Sequence, residues 1–342
     1  MGATSERKTE HIRLCLEEQV NGTGITTGLE KYAFRHKALP ELNFHDIRLD
    51  AEFLNITVQT PLLISSMTGG SELAGTINER LAEAAERRGW AMGVGSGRAA
   101  VEKQELAPTF AVRRYAPTIP IIANVGAVQL NYGFGVEECM RVAEIAGANM
   151  LVLHLNSLQE VFQPEGDTAF AGLLSRIEAV CRALPIPVGV KEVGWGIDGE
   201  TARRLHEAGA AFIDVAGAGG TSWSQVEKFR NKDHIRRAVA EAFAGWGNPT
   251  AECIVDVRDN VPGAAIIGSG GLNTGVDAAK ALALGANLAG FGRAVLEPAV
   301  NSERRLDELL ERVELELRTV MFGIGAANID ELRSTSRLVR RS

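Results

Sequence analysis

The sequence predicts an α/β fold: a closed (β/α)8 TIM barrel with an N-terminal arm and an insertion after the sixth strand. Two observations predict it. Eight short apolar runs alternate with segments of amphipathic helical spacing, and none of the runs has the polar alternation of a half-exposed strand. Four of the helices end at regularly spaced glycines, Gly89, Gly147, Gly209 and Gly285, which is typical of repeated strand–helix units.

The first 58 residues are predicted to form an arm and a hairpin ahead of the barrel. Residues 7–18 have helical spacing, residues 21–28 form a loop of glycine and threonine, and residues 44–58 resemble a short hairpin. The ordinary interpretation of so polar a stretch is a mobile arm. It nevertheless carries a dense basic cluster that consists of Arg7, Lys8, His11 and Arg13.

Residues 59–342 are predicted to form the barrel and a helical tail at 303–320. Four strands start after a proline and four after a glycine that ends a helix; in chain order these residues are Pro61, Gly89, Pro120, Gly147, Pro187, Gly209, Pro262 and Gly285. Helices are predicted at 72–88, 136–146, 201–208 and 275–284, and a polar and aromatic insertion at 221–248. An open doubly wound sheet is the alternative fold, but SSMTGG after the first strand does not match its phosphate fingerprint GxGxxG.

Composition and charge favour a globular protein that binds neither nucleic acid nor a membrane surface. The chain has 342 residues, 45% of them hydrophobic, and a net charge of −7 with both signs interspersed. It contains no run of roughly 20 apolar residues, as a membrane span needs, and no apolar signal segment at its start. Its four cysteines are far apart and are expected to be reduced thiols, so we expect a cytoplasmic protein.

In a barrel of this type the functional groups lie at the C-terminal ends of the strands. We call these ends the rim, and every one of them is polar or rich in glycine. The last two, IIGSGGLNTG at 266–275 and GFGRA at 290–294, lie where backbone N–H groups of such barrels commonly bind phosphate. The rim therefore predicts a ligand that carries phosphate.

Lys191 follows the fifth apolar run and has three interpretations. It pairs with the carboxylate of Glu192 or Glu160, forms a Schiff base, or places a cation beside an electron-rich cofactor ring. Neutral hydrogen-bonding groups lie at three other strand ends, Thr68, Ser96 and Asn124. Such groups suit the edge of a flavin, and flavin mononucleotide (FMN), with one ring system and one phosphate, fits this rim better than a dinucleotide.

The fourth apolar run ends in four polar side chains, His154, Asn156, Gln159 and Glu160. Polar groups at the end of a buried strand indicate a site rather than a core. For His154 the alternative is a core histidine whose hydrogen bonds are satisfied.

The chain resembles the type 2 isopentenyl diphosphate isomerases in motifs that cover nearly its whole length, in the family's order. These are RKTEHI (7–12), SSMTGG (65–70), GSGR (95–98), ANVGAVQ (123–129), HLNSLQE (154–160), VKEVGWG (190–196), DVAGAGGTSW (214–223) and SGGLNTG (269–275). The resemblance implies an FMN-dependent barrel enzyme of isoprenoid biosynthesis that interconverts isopentenyl and dimethylallyl diphosphate. It further implies reduced FMN, Mg²⁺, NADPH or NADH as the reductant, and assembly into homotetramers or homo-octamers.

The resemblance also implies a role for each matching residue. FMN would contact Ser66, Met67, Thr68, Ser96, Asn124, Lys191 and Thr221, and its phosphate would lie against Gly270, Gly271, Gly292 and Arg293, although the family more often has alanine at the position of Gly292. The substrate would contact Arg7, Lys8, His11, Arg98, His154, Asn156 and Gln159, and Glu160 would bind Mg²⁺. The basic arm would close over the diphosphate as a lid, and Trp223 would either shield the ligands or pack.

The reaction implied is a 1,3-proton shift without net redox change. Neither a pair of carboxylates nor a cysteine stands out as its acid and base, so reduced FMN is expected to fill that role, with Lys191 balancing its charge. Gln159 and His154 complete the expected catalytic residues, and Gln159 would relay or orient a proton.

The nearest alternative function is an FMN-dependent 2-hydroxy-acid oxidase or dehydrogenase. Such enzymes have a histidine and an arginine after the sixth strand, where this chain has AGAGGTSW at 216–223 and no histidine. A Schiff-base lyase that uses Lys191 and a non-catalytic sensor of phosphate ligands are further alternatives. A flavin spectrum would exclude the lyase, and the number of polar groups at the rim disfavours the sensor.

Overall fold

The computed structural model describes residues 3–341, and it contains the predicted closed barrel of eight parallel strands. In chain order the strands are β1 (Tyr32–Phe34), β2 (Ala51–Phe53), β3 (Ile56–Val58), β4 (Leu62–Ile64), β5 (Ala91–Gly93), β6 (Ile121–Gly126), β7 (Met150–His154), β8 (Val188–Lys191), β9 (Phe212–Asp214), β10 (Ala265–Ser269), β11 (Leu288–Phe291) and β12 (Leu338–Arg340). Strands β4 to β11 form the barrel, which closes where β11 pairs with β4. All eight predicted strands are confirmed.

Helices lie between the barrel strands and at both ends of the chain. They are α1 (Ala3–Glu17), α2 (Glu72–Arg88), α3 (Arg98–Glu102), α4 (Val136–Ala146), α5 (Ser157–Phe162), α6 (Leu173–Ala183), α7 (Gly199–Glu207), α8 (Trp223–Arg230), α9 (His234–Ala242), α10 (Thr250–Asn260), α11 (Gly275–Ala283), α12 (Arg293–Asn301), α13 (Glu303–Ile324) and α14 (Ile329–Arg333). Short 3-10 helices lie at Leu29–Lys31, Phe44–Asp46, Gln104–Phe110 and Ala127–Asn131. No helix among residues 3–341 is long and apolar enough to cross a membrane.

The helix boundaries follow the capping signals in the sequence. Helices α2 and α4 have the predicted bounds, and each ends at a glycine in the left-handed region, Gly89 with φ of 68° and Gly147 with φ of 59°. Helix α7 starts two residues earlier than predicted, because the side chain of Asp198 caps it by accepting from the N–H of Thr201. The helical tail extends four residues further than predicted and ends at Gly325.

The hairpin of β2 and β3 closes the end of the barrel opposite the rim. Leu54 and Asn55 have positive φ, which is the backbone of a two-residue hairpin turn. Phe53 is buried and lies edge-on to Phe212 of β9, with 5.7 Å between the ring centroids. Val58 joins the same apolar cluster, which also contains inward-facing residues from the barrel strands. A hairpin lies within the predicted range but spans only residues 51–58, since Phe44–Asp46 form a 3-10 helix, and it acts as a plug.

The N-terminal residues form a packed helix, so the interpretation as a mobile arm is wrong for the described part. Helix α1 packs against α8 and α12. Leu14 and Val20 are buried in a small cluster with Val226 of α8. The predicted insertion provides α8 and α9, and the arm helix therefore lies on the insertion at the rim.

Candidate active site

A cavity of about 380 Å³ opens at the rim. It is lined by every residue to which the resemblance assigns a role, from Arg7 on the arm helix to Arg293 at the start of α12. Arg13, the fourth member of the basic cluster, does not line the cavity; its exposed side chain pairs with Glu17. The structure therefore brings the predicted residues to one place, whereas the role of each stays a prediction.

The strand register places four rim positions side by side. Gly126, His154, Lys191 and Asp214 are successive partners across β6, β7, β8 and β9. The ammonium group of Lys191 lies 3.9 Å from the Asp214 carboxylate and donates to the backbone oxygen of Glu192 at 2.5 Å. The ion-pair partner of Lys191 is Asp214, so the interpretation in which Lys191 pairs with Glu192 or Glu160 is wrong.

Two other contacts fix the groups around Lys191. Ser269 on β10 donates its hydroxyl to Asp214 at 2.5 Å. The carboxylate of Glu192 instead accepts from the backbone N–H groups of the three residues that follow it. Lys191 is therefore a buried cation held by one carboxylate and one carbonyl. Asp214 was not predicted as a site residue, although it opens the motif DVAGAGGTSW.

His154 is neutral in this environment. Burial, followed by the charges of Lys191 and Lys8, lowers the pKa of His154 to about 3. Its Nδ1 lies 2.7 Å from Oδ1 of Asn124, so Nδ1 carries the proton and donates. The imidazole then offers a lone pair at Nε2 and no positive charge, and any diphosphate must find its cations elsewhere.

Glu160 is held by three donors. Its carboxylate accepts from Asn156 Nδ2 at 2.7 Å, from Gln163 Nε2 at 3.0 Å and from the backbone N–H of Asp167 at 2.7 Å. A Cβ on Gly166 would lie 1.8 Å from the backbone oxygen of Glu160, so glycine is required for the chain to fold back this closely. Burial raises the pKa of Glu160 against the effect of these donors.

Asp167 links the loop after Glu160 to the second and third strand ends of the rim, where Arg98 and Gln129 lie. Its carboxylate accepts from Arg98 Nη1 at 2.7 Å and from Gln129 Nε2 at 2.9 Å. Gln163, Asp167 and Gln129 were not predicted as site residues. The position of Gln129 at the end of ANVGAVQ was the available signal. Among residues 3–341, no group of three or more His, Cys, Asp or Glu side chains could hold a metal ion.

The insertion contributes a buried carboxylate to the cavity region. Glu227 on α8 accepts from His11 Nε2 at 3.0 Å and from Gln159 Nε2 at 3.4 Å, which joins the arm helix to the fourth strand end. The indole of Trp223 lies edge-on to the His11 ring, with 5.1 Å between centroids. Burial lowers the pKa of His11, although Glu227 acts in the opposite direction. Glu227 was also missed, since the insertion was described only as polar and aromatic.

Cations from two segments, the arm helix and the start of α3, line one side of the cavity. Burial and the neighbouring Arg7 lower the pKa of Lys8 to about 8, and no hydrogen bond or ion pair of Lys8 is seen within residues 3–341. Arg98 is shared between Asp167 and Glu102, and Arg7 lies 3.7 Å from Glu165. These groups are the cationic ones that an anionic ligand would meet.

Glycines form a narrow cradle on the other side of the cavity. Gly270 and Gly271 have φ of 109° and 74°, a backbone that other residues rarely adopt. A Cβ on Gly220 would lie 2.7 Å from the backbone nitrogen of Gly271, so the two loops approach as closely as glycine permits. Helix α12 begins at Gly292 without a side-chain cap, which leaves its first N–H groups available to an anion.

Several buried polar atoms of the cavity wall have no partner among the described residues. They are the hydroxyl oxygens of Ser65, Thr68 and Thr221 and Oδ1 of Asn156. A buried polar atom without a partner is costly, so these atoms indicate a polar ligand. The unpaired hydroxyls, the cradle and Lys191 together fit a group with a heterocyclic ring and one phosphate, such as FMN.

The sequence comparisons agree on one family. The family model described as FMN-dependent dehydrogenase matches residues 155–340. The chain is 55% identical to the isopentenyl-diphosphate delta-isomerase of Oceanobacillus iheyensis, over 98% of this chain and 96% of that protein. It is 52% identical to the protein of the same name from Nostoc sp., over 98% of this chain and 96% of that protein.

Solved structures share the fold at much lower identity. The (S)-mandelate dehydrogenase from Pseudomonas putida superposes with a TM-score of 0.68 at 19% identity, covering 97% of this chain and 99% of that one. A mandelate oxidase superposes with a TM-score of 0.64 at 21% identity, covering 94% of this chain and 93% of that one. This likeness shows the fold, whereas relatives at up to 55% identity over nearly the full length show the family. The resemblance seen in the motifs is thereby confirmed, and the chain belongs to the FMN-dependent, type 2 family of isopentenyl-diphosphate delta-isomerases.

Proposed function

We propose that this protein interconverts isopentenyl and dimethylallyl diphosphate by a 1,3-proton shift, with reduced FMN and Mg²⁺ bound. The observation that carries the proposal is that one cavity holds two separate sets of anion-binding groups. The glycine cradle at Gly270 and Gly271, with the start of α12, suits one phosphate. Lys8, Arg7 and Arg98 on the other side suit a second, more highly charged anion.

The cradle side would hold FMN. The unpaired hydroxyls of Thr68 and Thr221 and the side chain of Ser96 would hydrogen-bond the ring system, and Lys191 would place its charge beside it. When bound in its reduced form, FMN supplies an electron-rich ring that can take up and release a proton. Because Asp214 and a carbonyl fix Lys191, its cation needs little reorganisation to balance that charge.

The arm side would hold the substrate. Arg7, Lys8 and Arg98 would bind the diphosphate, and their long side chains reach the cavity from two different segments. The pKa of Lys8, lowered to about 8 by burial and Arg7, would rise when a dianionic group arrives beside it. A bound diphosphate would therefore hold the proton on Lys8 and keep that side chain a cation.

The remaining polar groups would orient the reacting carbons and keep water out. The Gln159 amide is oriented by Glu227, and neutral His154 can accept a hydrogen bond without adding charge. Trp223 and the arm helix cover the cavity. A closed site excludes water from a reactive intermediate.

Glu160 is the proposed Mg²⁺ ligand. Mg²⁺ typically binds one or two carboxylates together with phosphate oxygens of the substrate, which explains how a site without three clustered acidic or histidine ligands can bind it. Oδ1 of Asn156, buried and unpaired, is available next to it. Glu160→Gln is expected to raise the Mg²⁺ concentration needed for half-maximal binding of inorganic pyrophosphate. Unchanged Mg²⁺ dependence in calorimetry would remove Glu160 from this role.

The resemblance supports the remaining features of the proposal. NADPH or NADH would reduce the flavin, the protein would act in the cytoplasm, and homotetramers or homo-octamers would form. Oxidation of 2-hydroxy acids is disfavoured, because the sixth strand end at 216–223 has no histidine to take the hydroxyl proton.

Two measurements test the function. Purified protein should show the visible absorbance of a flavin. Isopentenyl diphosphate should exchange its allylic protons and yield dimethylallyl diphosphate only when dithionite and Mg²⁺ are both present. Turnover that does not depend on the redox state of the flavin would overturn the proposal.

A further inference from the structure

We propose that Arg230 is a positioning residue that clamps the arm helix α1 over the cavity and thereby fixes Arg7 and Lys8 for the diphosphate. The inference deepens the proposed function and rests on it, since the anion that these two cations meet is taken to be the substrate's. Arg230 itself does not line the cavity.

Each nitrogen of the Arg230 guanidinium contacts a different carboxylate. Nε lies 3.0 Å from Glu10, Nη1 lies 2.6 Å from Glu227, and Nη2 lies 3.3 Å from Glu165. The three carboxylates belong to the arm helix, the insertion helix α8 and the loop after α5. One planar cation therefore ties together the three segments that surround the open side of the cavity.

Arg230 is buried at its contact with Glu227, whereas Glu10 and Glu165, at 40% and 52% exposed, contact its outer edge. The side chain of Arg230 is 9% exposed and that of Glu227 is 0% exposed. An exposed pair contributes little to stability, whereas removal of one member of a buried pair leaves the other charge without compensation. Since the pKa of His11 is lowered, Arg230 is the permanent cation in contact with Glu227 among the described residues.

The clamp also fixes how α1 is rotated. Arg7, Glu10, His11 and Leu14 follow helical spacing and form one face, which meets the insertion and the cavity. Arg7 lies 3.7 Å from Glu165, the same carboxylate that Arg230 contacts. If Arg230 is lost, Glu10 and Glu165 lose the cation between them and repel each other. The face that carries Arg7 is then no longer held toward the cavity.

The main test compares Arg230→Gln and Arg230→Lys with the control Arg13→Gln in the full-length protein. Arg13 lies on the same helix but is exposed and pairs with Glu17 outside the cavity. Hydrogen exchange of the α1 amides and calorimetric binding of inorganic pyrophosphate with Mg²⁺ are measured first, because neither needs turnover. KM and kcat for isopentenyl diphosphate follow.

In Arg230→Gln we expect α1 amides to exchange faster and pyrophosphate to bind roughly tenfold more weakly, which corresponds to about 1.4 kcal/mol. KM should rise by a similar factor, and kcat should fall as well, because Glu227, which orients Gln159, loses its compensating cation. Arg230→Lys should restore part of both effects, because a lysine can keep one of the three contacts. Arg13→Gln should match the wild type.

A second variant keeps the test valid if Arg230→Gln does not fold. Glu10→Gln removes only the contact to the arm, and the Glu10 side chain is 40% exposed, so the barrel should tolerate it. It should speed α1 exchange and weaken pyrophosphate binding in the same direction. The clamp is overturned if α1 exchange and pyrophosphate binding in Glu10→Gln equal those in Arg13→Gln. Arg230→Gln, where it folds, must then also equal Arg13→Gln in both. Altered exchange and binding in a protein without isomerase activity would instead support the clamp and refute the proposed function.

Discussion

His154 illustrates how this barrel sets the charge of a single residue. The register of β7 and β8 puts His154 beside Lys191, and the arm helix brings Lys8 close to it. A protonated imidazole there would add a third positive charge to a buried region, so the neutral form is favoured. The cationic part of the site is consequently left to lysine and arginine.

The depressed pKa of His154 has a consequence for stability in acid. In the unfolded chain a histidine has a pKa near 6.5, whereas burial and the two lysines lower the pKa of His154 to about 3 in the folded protein. Between these values the unfolded state binds the extra proton, so stability falls as the pH falls below about 6.5. From pH 7 to pH 5 the wild type should lose up to about 2 kcal/mol more unfolding free energy than His154→Gln.

Urea unfolding of both proteins at several pH values measures this difference. The variant serves as the control, since it has the same remaining titratable groups. Parallel loss of stability in the two proteins across this range would show that His154 is not held neutral by the fold.

The elements that build the cavity are loops placed by rigid strands. The loop after β10 approaches the N-terminal loop and the loop after β9 so closely that a Cβ on Gly271 would lie 2.6 Å from Thr27 and 2.8 Å from Gly219. Such contact requires glycine at position 271, and the backbone of Gly271 lines the cavity, where N–H groups can bind an anion. The cradle therefore depends on backbone conformation more than on any side chain.

Gly271→Ala should reduce FMN binding by at least tenfold. Alanine at φ of 74° costs about 1–2 kcal/mol, and its methyl group would push the two loops apart. The ratio of visible to ultraviolet absorbance after purification, and a titration of the apoprotein with FMN, measure the loss. Gly263→Ala is the matched control, because a Cβ there meets nothing within 4 Å and φ is not in the left-handed region. Equal FMN affinity in the two variants would contradict the assignment of the cradle.

In the whole molecule, the hairpin of β2 and β3 and the active-site cavity lie at opposite ends of the barrel. Phe53 and Val58 fill one end of the barrel with residues from β4 to β11, while the cavity occupies the other end. Stability is expected to depend strongly on the plugged end. Ligand binding is expected to depend on the rim.

Phe53→Ala tests this separation. Loss of a fully buried phenylalanine should lower the free energy of unfolding by about 3–5 kcal/mol, because its ring also contacts Phe212. The flavin content of the folded protein at 25 °C should stay the same. Leu39→Ala, at a side chain that is 69% exposed, should change neither quantity. A Phe53→Ala protein of wild-type stability would contradict the stabilising role of the plug, and one that folds without flavin would show that the two ends are not independent.

Local patterns account for what could be predicted from the sequence. The apolar runs, the glycines after helices and the prolines before strands predicted the eight barrel strands and four helices to within two residues, since these signals act within a few positions of the chain. The strand ends could then be assigned to the rim by the general rule for such barrels, and the resemblance supplied their expected roles. Thus the fold and the residues with expected roles could be predicted, whereas two further polar residues of the cavity wall, Gln129 and Gln163, were not.

The partners of charged groups were decided only by the tertiary structure. One interpretation paired Lys191 with Glu192 or Glu160, but the register of β8 and β9 placed Asp214 beside it. The contact of Arg230 with Glu10 joins an insertion helix to the arm helix, and nothing near either residue in the sequence indicates it. An ion pair leaves no repeating pattern in the sequence, because it depends on where two segments that are distant in the chain pack together. For that reason the sequence determined the barrel and its rim, and only the packed structure determined which charges compensate one another there.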